Sequence, residues 1–236
     1  MDDILVYSHT LSKHWQIIHQ VLATLQEQRL FLKPEKCKFE QKEVKYLGLV
    51  ISKDHVTMDP MKVHGVTEWL TPMKVKEVQS FLGFVNFYWK FICNFSDIAC
   101  PLYTLTHKTQ QWVWGSPKQE AFDTLKKAIT SAPILTFPSQ SSCFCLECEA
   151  SNFVTRAVLS QVQADGMHQL ITFMSKGFSD VECNYQIHNK EMLAIMHVLD
   201  EWHHFLKGMA EKFKILTDHQ NLAYFHDTVG RENDMI

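Results

Sequence analysis

The chain has 236 residues, 46% of them apolar and 21% charged, with 8 Gly and 7 Pro. That is enough for one large domain or two to three small ones, and it excludes both a disordered and a collagenous chain. The balance of 23 Lys plus Arg against 26 Asp plus Glu excludes a strongly basic nucleic-acid coat and an acidic tail, so any phosphate binding has to be local. No apolar run approaches about 18 residues, and Met1-Asp2-Asp3 is acidic where a signal peptide is basic, so no membrane crossing or leader is expected. Seven cysteines without framework spacing, beside 10 Met, suit a reducing intracellular compartment, cytoplasmic or nuclear, without disulfides.

In chain order, Asp2-Asp3-Ile4-Leu5-Val6-Tyr7 reads as acids before a buried strand. Leu11, Trp15, Ile18, Leu22 and Leu25 then mark one face of a helix, with Ser12 as N-cap. Lys33-Pro34 stops it, and Val44 to Ser52 is rich in β-branched and aromatic residues, which predicts a strand. From Asp59-Pro60 the pattern is helical. Val75, Val78, Leu82 and Val85 form one stripe, an aromatic stretch runs from Phe87 to Phe95, and Ala121, Phe122, Leu125, Ala128 and Ile129 form another stripe. After Ala132-Pro133, strands are predicted over 143–148, 157–162, 170–174 and 213–217. A helix is predicted over 189–207, with Met192, Ile195, Met196, Leu199, Trp202 and Leu206 inward and Gly208 just past its end. Residues 1–132 carry 16 basic against 13 acidic side chains, a net of +3, and the rest carry 7 against 13, a net of −6. Phosphate affinity is therefore expected mainly in the first half.

Two acidic constellations carry possible chemistry. Asp2-Asp3 before an apolar strand offers two carboxylates to a hard cation such as Mg²⁺. Glu149 closes the first strand of the last third, Glu191 opens the long helix and Asp218 comes after the last strand. If the three strands form a meander and the fourth lies beside the first, these acids meet at one rim. They would then repel one another unless divalent ions neutralised them. Cys145-Leu146-Glu147-Cys148 has the C-x-x-C spacing, but on a strand residues three apart face opposite ways, so the pair is not expected to share an ion. His219, beside Asp218, could touch substrate phosphate. Among Phe84, Phe87, Tyr88, Trp89 and Phe91 the spacing favours helix packing over base stacking. Lys62, Lys74, Lys76 and Lys90 could track phosphates, diluted by Glu68 and Glu77.

The chain resembles a known family across nearly its whole length. Met1-Asp2-Asp3-Ile4-Leu5-Val6-Tyr7-Ser8 is similar to the tail of the reverse-transcriptase Tyr-x-Asp-Asp motif, and Leu32-Lys33-Pro34-Glu35-Lys36-Cys37 and Tyr46-Leu47-Gly48 are similar to the family's next segments. Leu82-Gly83-Phe84-Val85-Asn86-Phe87-Tyr88, Ala132-Pro133-Ile134-Leu135 and Ala157-Val158-Leu159-Ser160-Gln161 continue the likeness. Asn189-Lys190-Glu191-Met192-Leu193-Ala194-Ile195 and Leu216-Thr217-Asp218-His219 complete it, in the order of the gypsy-type LTR retrotransposon Pol polyprotein.

The resemblance implies a mixed α/β fold. Residues 1–57 would be the C-terminal part of the polymerase palm, 58–132 a helical thumb and connection, and 133–236 a ribonuclease H-like mixed sheet with flanking helices. It implies RNA-directed DNA synthesis and hydrolysis of the RNA strand of an RNA:DNA hybrid or template–primer, each with two Mg²⁺ ions, for which Mn²⁺ can substitute. Asp2 and Asp3 match the polymerase metal ligands, whose third aspartate, with the rest of the palm and fingers, is expected upstream. Glu149, Glu191 and Asp218 match the nuclease's catalytic metal ligands, and Trp89 and Lys90 stand where the family is typically basic.

Two departures bear on activity. Cys148-Glu149-Ala150-Ser151 replaces Thr-Asp-Ala-Ser, so the first carboxylate is one methylene too long, outside a tolerance of roughly 0.5 Å. Arg156 stands where the family has Gly, and it strains the chain if that position needs a left-handed backbone. A fragment with impaired nuclease activity and an inactive remnant that at most binds nucleic acid both remain open, and the stretch 229–234 only faintly resembles the segment before the family's fourth carboxylate.

Overall fold

A computed structural model describes residues 3–139, 142–163, 165–207 and 213–217. The chain divides into two compact units, Met1–Lys53 and Asp54–Ile236. In the first, helix α1 spans Leu11–Glu27, and its N-cap is Thr10, whose hydroxyl accepts the Lys13 amide at 3.3 Å, not Ser12. Only Ile18 of its apolar stripe is buried. Trp15 instead stacks on Phe39 and donates its indole N–H to Glu40 at 2.7 Å.

Two expectations fail in this unit. The run Ile4–Tyr7 is not a strand: no strand among the described residues of the unit takes up its backbone groups, and Tyr7 is 82% exposed. Residues 44–52 are not one strand but a hairpin of β1 (Glu43–Tyr46) and β2 (Leu49–Ser52). The turn is Leu47-Gly48 with φ of 48° and 81°. Both turn residues need positive φ, which the two-residue turn of a twisted hairpin requires, and Gly48 was the signal for it.

The second unit begins with β3 (His55–Met58), which pairs antiparallel with β4 (Leu135–Thr136). Between them lie α2 (Pro60–Thr67), α3 (Val75–Phe87), α4 (Phe95–Thr104) and α5 (Ser116–Thr130). The predicted stripes bury as expected: Val78, Leu82 and Val85 with Phe81 on α3, and Ala121, Phe122, Leu125 and Ile129 on α5. Phe81 and Phe122 meet at 4.6 Å between ring centroids.

The rest of the unit is built on a four-stranded sheet in the order β7-β6-β5-β8. β5 (Cys143–Ala150), β6 (Val154–Val162) and β7 (His168–Gly177) form an antiparallel meander, and β8 (Lys214–Leu216) lies parallel to β5. Helix α6 (Ile187–Leu206) covers one face. Phe144, Leu146, Cys148, Ala157, Leu159, Val198 and Trp202 form the core between them. Trp202 is buried and Ile195, Leu199 and Leu206 pack against this core as expected, but Met196 does not, and the most buried line of α6 includes residues outside the expected set. Glu191, Ala194, Val198 and Trp202 are buried, while Met196 is 58% exposed. Apolarity alone misses the start of that line because Lys190 and Glu191 are charged residues buried with partners. Gly208 lies outside the described residues. The other face meets α4 at its first turn, where the Ser96 amide donates to the Ser175 hydroxyl at 3.0 Å and the Ser96 hydroxyl donates to the Ser175 carbonyl at 2.8 Å.

Candidate active site

The C-terminal end of β5 gathers the acids. Side chains alternate along a strand, so Cys148 enters the core under α6 and Glu149 turns to the opposite face. There it meets Arg156, its register partner on β6. The guanidinium donates from Nη1 to Glu149 Oε1 at 2.8 Å and from Nε to Asp97 Oδ2 at 2.5 Å. One cation thus holds two carboxylates, one from the sheet and one from α4, and the bond to Asp97 first, then that to Glu149, pushes the Arg156 pKa up. Arg156 is not among the residues of positive φ. It sits in an ordinary strand, so the expected backbone strain does not arise, and its effect is electrostatic.

Glu191 approaches from the other side. Its position in the second turn of α6 aims Oε1 at the Ala150 amide, 3.2 Å away, in a setting that is 4% exposed. Beside it, Lys190 donates Nζ to the Asn152 carbonyl at 3.0 Å. Two charged side chains of one helix therefore pin the β5–β6 turn. The fold brings Glu149 and Glu191 to one strand end but draws their carboxylates to different partners. Asp218, His219 and Asp2 lie outside the described residues; β8 ends with Leu216 beside Glu147. Asp3 is exposed, and its carbonyl accepts the Tyr46 hydroxyl at 3.4 Å.

Of the nucleic-acid candidates, Lys62, Lys76 and Lys90 are exposed, and Lys74 is bridged to Glu77 at 3.3 Å. Lys90 Nζ lies 5.4 Å over the Trp89 ring. Trp89 packs against the sheet core and lines a groove of about 340 Å³ with Asn86, Ser96, Tyr103, Lys176 and Glu201. Neither the groove nor the Asp97 contact is legible in the sequence. No local signal marks Asp97, which is 59 residues from Arg156. The pairing of Arg156 with Glu149, by contrast, is the direct result of a tight hairpin centred on Asn152-Phe153.

Behind the corner, His197 of α6 lies 3.1 Å from the Thr155 hydroxyl through Nδ1 and 3.7 Å from Glu182 through Nε2. Burial first, then Lys176, lowers its pKa below the ordinary value, against the opposing pull of Glu182 and Asp200. Because the folded value lies below the unfolded one, acid protonates the unfolded chain first. The contribution is complete above about pH 6.5 and is lost as pH falls through the folded value. Melting temperature should therefore fall more steeply between about pH 7.5 and 5.5 in the wild type than in His197→Asn. Parallel curves would remove His197 as the cause.

Comparison with known proteins assigns the family. The family model for reverse transcriptase (RNA-dependent DNA polymerase) matches residues 1–51, and that for the RNase H-like domain found in reverse transcriptase matches 114–215. The Tf2-3 transposon polyprotein of Schizosaccharomyces pombe (strain 972 / ATCC 24843) is 37% identical over 222 residues, 94% of this chain and 17% of that polyprotein. The Tf2-7 polyprotein of the same strain is 36% identical over the same lengths. The chain belongs to the gypsy-type LTR retrotransposon polyproteins.

This retrotransposon chain spans about a sixth of the length of the curated relatives it matches, 17%. Its mixed α/β fold is that of foamy viral protease-reverse transcriptase. The structure solved with RNA/DNA hybrid superposes with a TM-score of 0.71 at 22% identity, covering 90% of this chain and 29% of the viral one. A second, solved with double-stranded DNA, gives 0.72 at 21% identity over 94% and 38%. No described helix is long and apolar enough to cross a membrane.

Reverse transcriptases and ribonucleases H typically use divalent metals. The described carboxylates of this chain, as arranged, do not fit a pair of such ions. Glu149 is held by a guanidinium and Glu191 by a backbone amide. An ion of charge +2 placed about 4 Å from a fixed +1 charge is opposed by roughly 2 kcal/mol even at the dielectric of water.

Proposed function

We propose that this chain is the reverse transcriptase–ribonuclease H segment of a retrotransposon polyprotein that takes up an RNA:DNA hybrid or template–primer but hydrolyses its RNA strand poorly. The family's domain plan divides it into a palm part over 1–57, a thumb and connection over 58–132 and a ribonuclease H-like part over 133–236. The Asp2-Asp3 pair would serve polymerisation with an aspartate from the palm and fingers of the same polyprotein. Glu149, Glu191 and Asp218 stand at the positions that hold two Mg²⁺ ions, or Mn²⁺ in their place, in the family's nucleases, and the bond from Arg156 to Glu149 opposes that arrangement in this chain.

One observation carries the loss of hydrolysis: the Arg156 guanidinium is bonded to Glu149 and Asp97 at once. A positive charge stands beside the acid that should hold a metal, and a second tether fixes it there. Nucleic-acid uptake is supported by the viral relatives solved with RNA/DNA hybrid and double-stranded DNA. The exposed Lys62, Lys74, Lys76 and Lys90, with the partly exposed Trp89, are its candidate surface.

The test is fluorescence anisotropy with a labelled hybrid, then a cleavage assay in Mg²⁺ on the same preparation. Hybrid binding should weaken with salt, and Lys90→Ala should lower the slope of log affinity against log salt by about one unit. Cleavage by the wild type should match that by Asp218→Asn. Wild-type cleavage well above Asp218→Asn overturns the impairment, and no binding at low salt overturns the uptake.

A further inference from the structure

We infer that the sheet face opposite α6 carries a zinc site formed by Cys145, Glu147 and His168, separate from the carboxylates at the end of β5. One ligand atom from each of the three lies within 4.8 Å of the other two. The strand geometry makes this juxtaposition. Cys145 and Glu147 are two apart on β5 and share a face. His168 opens β7, two strands away, at a separation of about 10 Å between strand axes. The residue between them is Ser160, the register partner of Cys145 on β6. A serine is small enough to let side chains from the outer strands meet above it.

Ser160 also steadies the ligand. Its hydroxyl lies 3.1 Å from His168 Nδ1, the kind of outer bond that orients an imidazole in metal sites. The donor set selects the ion. Thiolate and imidazole are borderline-soft ligands that favour Zn²⁺ over Mg²⁺, whereas the acids at the strand end are hard. Bonds of about 2.0 to 2.3 Å to nitrogen, oxygen and sulfur require the three donors to close by roughly 1 Å. Glu147 and His168 are exposed side chains and can turn to do so. Three protein ligands leave a fourth position for water, the coordination of an open zinc centre. The Glu147 carboxylate offsets the nearby charge of Lys214, which faces Cys145 from β8. Zinc here would tie β5 to β7 across β6 and release the thiol proton on binding.

Cobalt(II) is the probe, because a thiolate ligand gives it a charge-transfer absorption and tetrahedral coordination gives it intense visible bands. Titration of the full chain with thiols kept reduced should show both, and Zn²⁺ should displace them. Cys145→Ser should abolish the charge-transfer band. His168→Gln and Glu147→Gln, at exposed positions that leave the core intact, should each weaken binding by at least about 10-fold, and Ser160→Ala by about 10-fold. Glu149→Gln should leave the band unchanged. A band that survives in Cys145→Ser and His168→Gln, or no band at saturating cobalt, overturns the site.

Discussion

Joint replacement of Arg156 by Gly and Glu149 by Asp is expected to raise Mg²⁺ affinity about 30-fold and to bring hybrid cleavage above the wild-type level. The affinity gain is the roughly 2 kcal/mol of charge repulsion removed with the guanidinium, at 1.4 kcal/mol per tenfold. The aspartate corrects the other defect, since Mg²⁺ accepts little departure from octahedral geometry and a carboxylate displaced by a methylene misses it. Arg156→Gly alone should recover most of the affinity, and Glu149→Asp alone little, because the aspartate remains bound to the arginine. Stability should fall by about 1 to 2 kcal/mol, since a partly exposed ion pair is worth under about 1 kcal/mol and glycine weakens a strand. Calorimetric Mg²⁺ titration and a labelled-hybrid assay measure the two effects. Adding Asp218→Asn to the double variant should remove the recovered cleavage. Unchanged Mg²⁺ affinity in the double variant would show that Arg156 does not govern the site.

Trp202→Ala should cost about 3 to 5 kcal/mol, a large part of the stability of a domain of this size. The indole is 1% exposed and lies among Phe144, Leu146 and Val198 in the layer between α6 and the sheet. Its loss leaves a cavity that the surrounding strands cannot close, and it loosens the helix that sets Glu191 against Ala150. Met196→Ala, on the exposed side of the same helix, should change stability by less than about 0.5 kcal/mol. Urea unfolding of both variants decides the matter. Equal losses would mean that α6 presents a different face to the sheet.

The contrast between Trp202 and Met196 shows how far the amino-acid pattern reaches. Hydrophobic spacing located α6 and the β-β-β-α-β order that the sheet adopts. It set Met196 inward and left Lys190 and Glu191 out, because the pattern has no term for a charged side chain that is buried with a backbone partner. It likewise ran β1 and β2 together, since Tyr46 to Ile51 is continuously strand-like except at Gly48. It made a strand of Ile4–Tyr7, where β propensity finds no partner strand among the described residues.

The order of motifs pointed to the family, and hydrophobic spacing to most of the elements, while the acids were picked out as candidates, because these depend on residue identity and on separations along the chain. The tertiary structure alone decided what Glu149 binds. Its nearest charge comes from a register partner seven positions on, and that arginine is itself held by Asp97 on a helix 59 residues before it. Strand pairing and helix packing fix such distances in space, and no periodicity in the sequence encodes them.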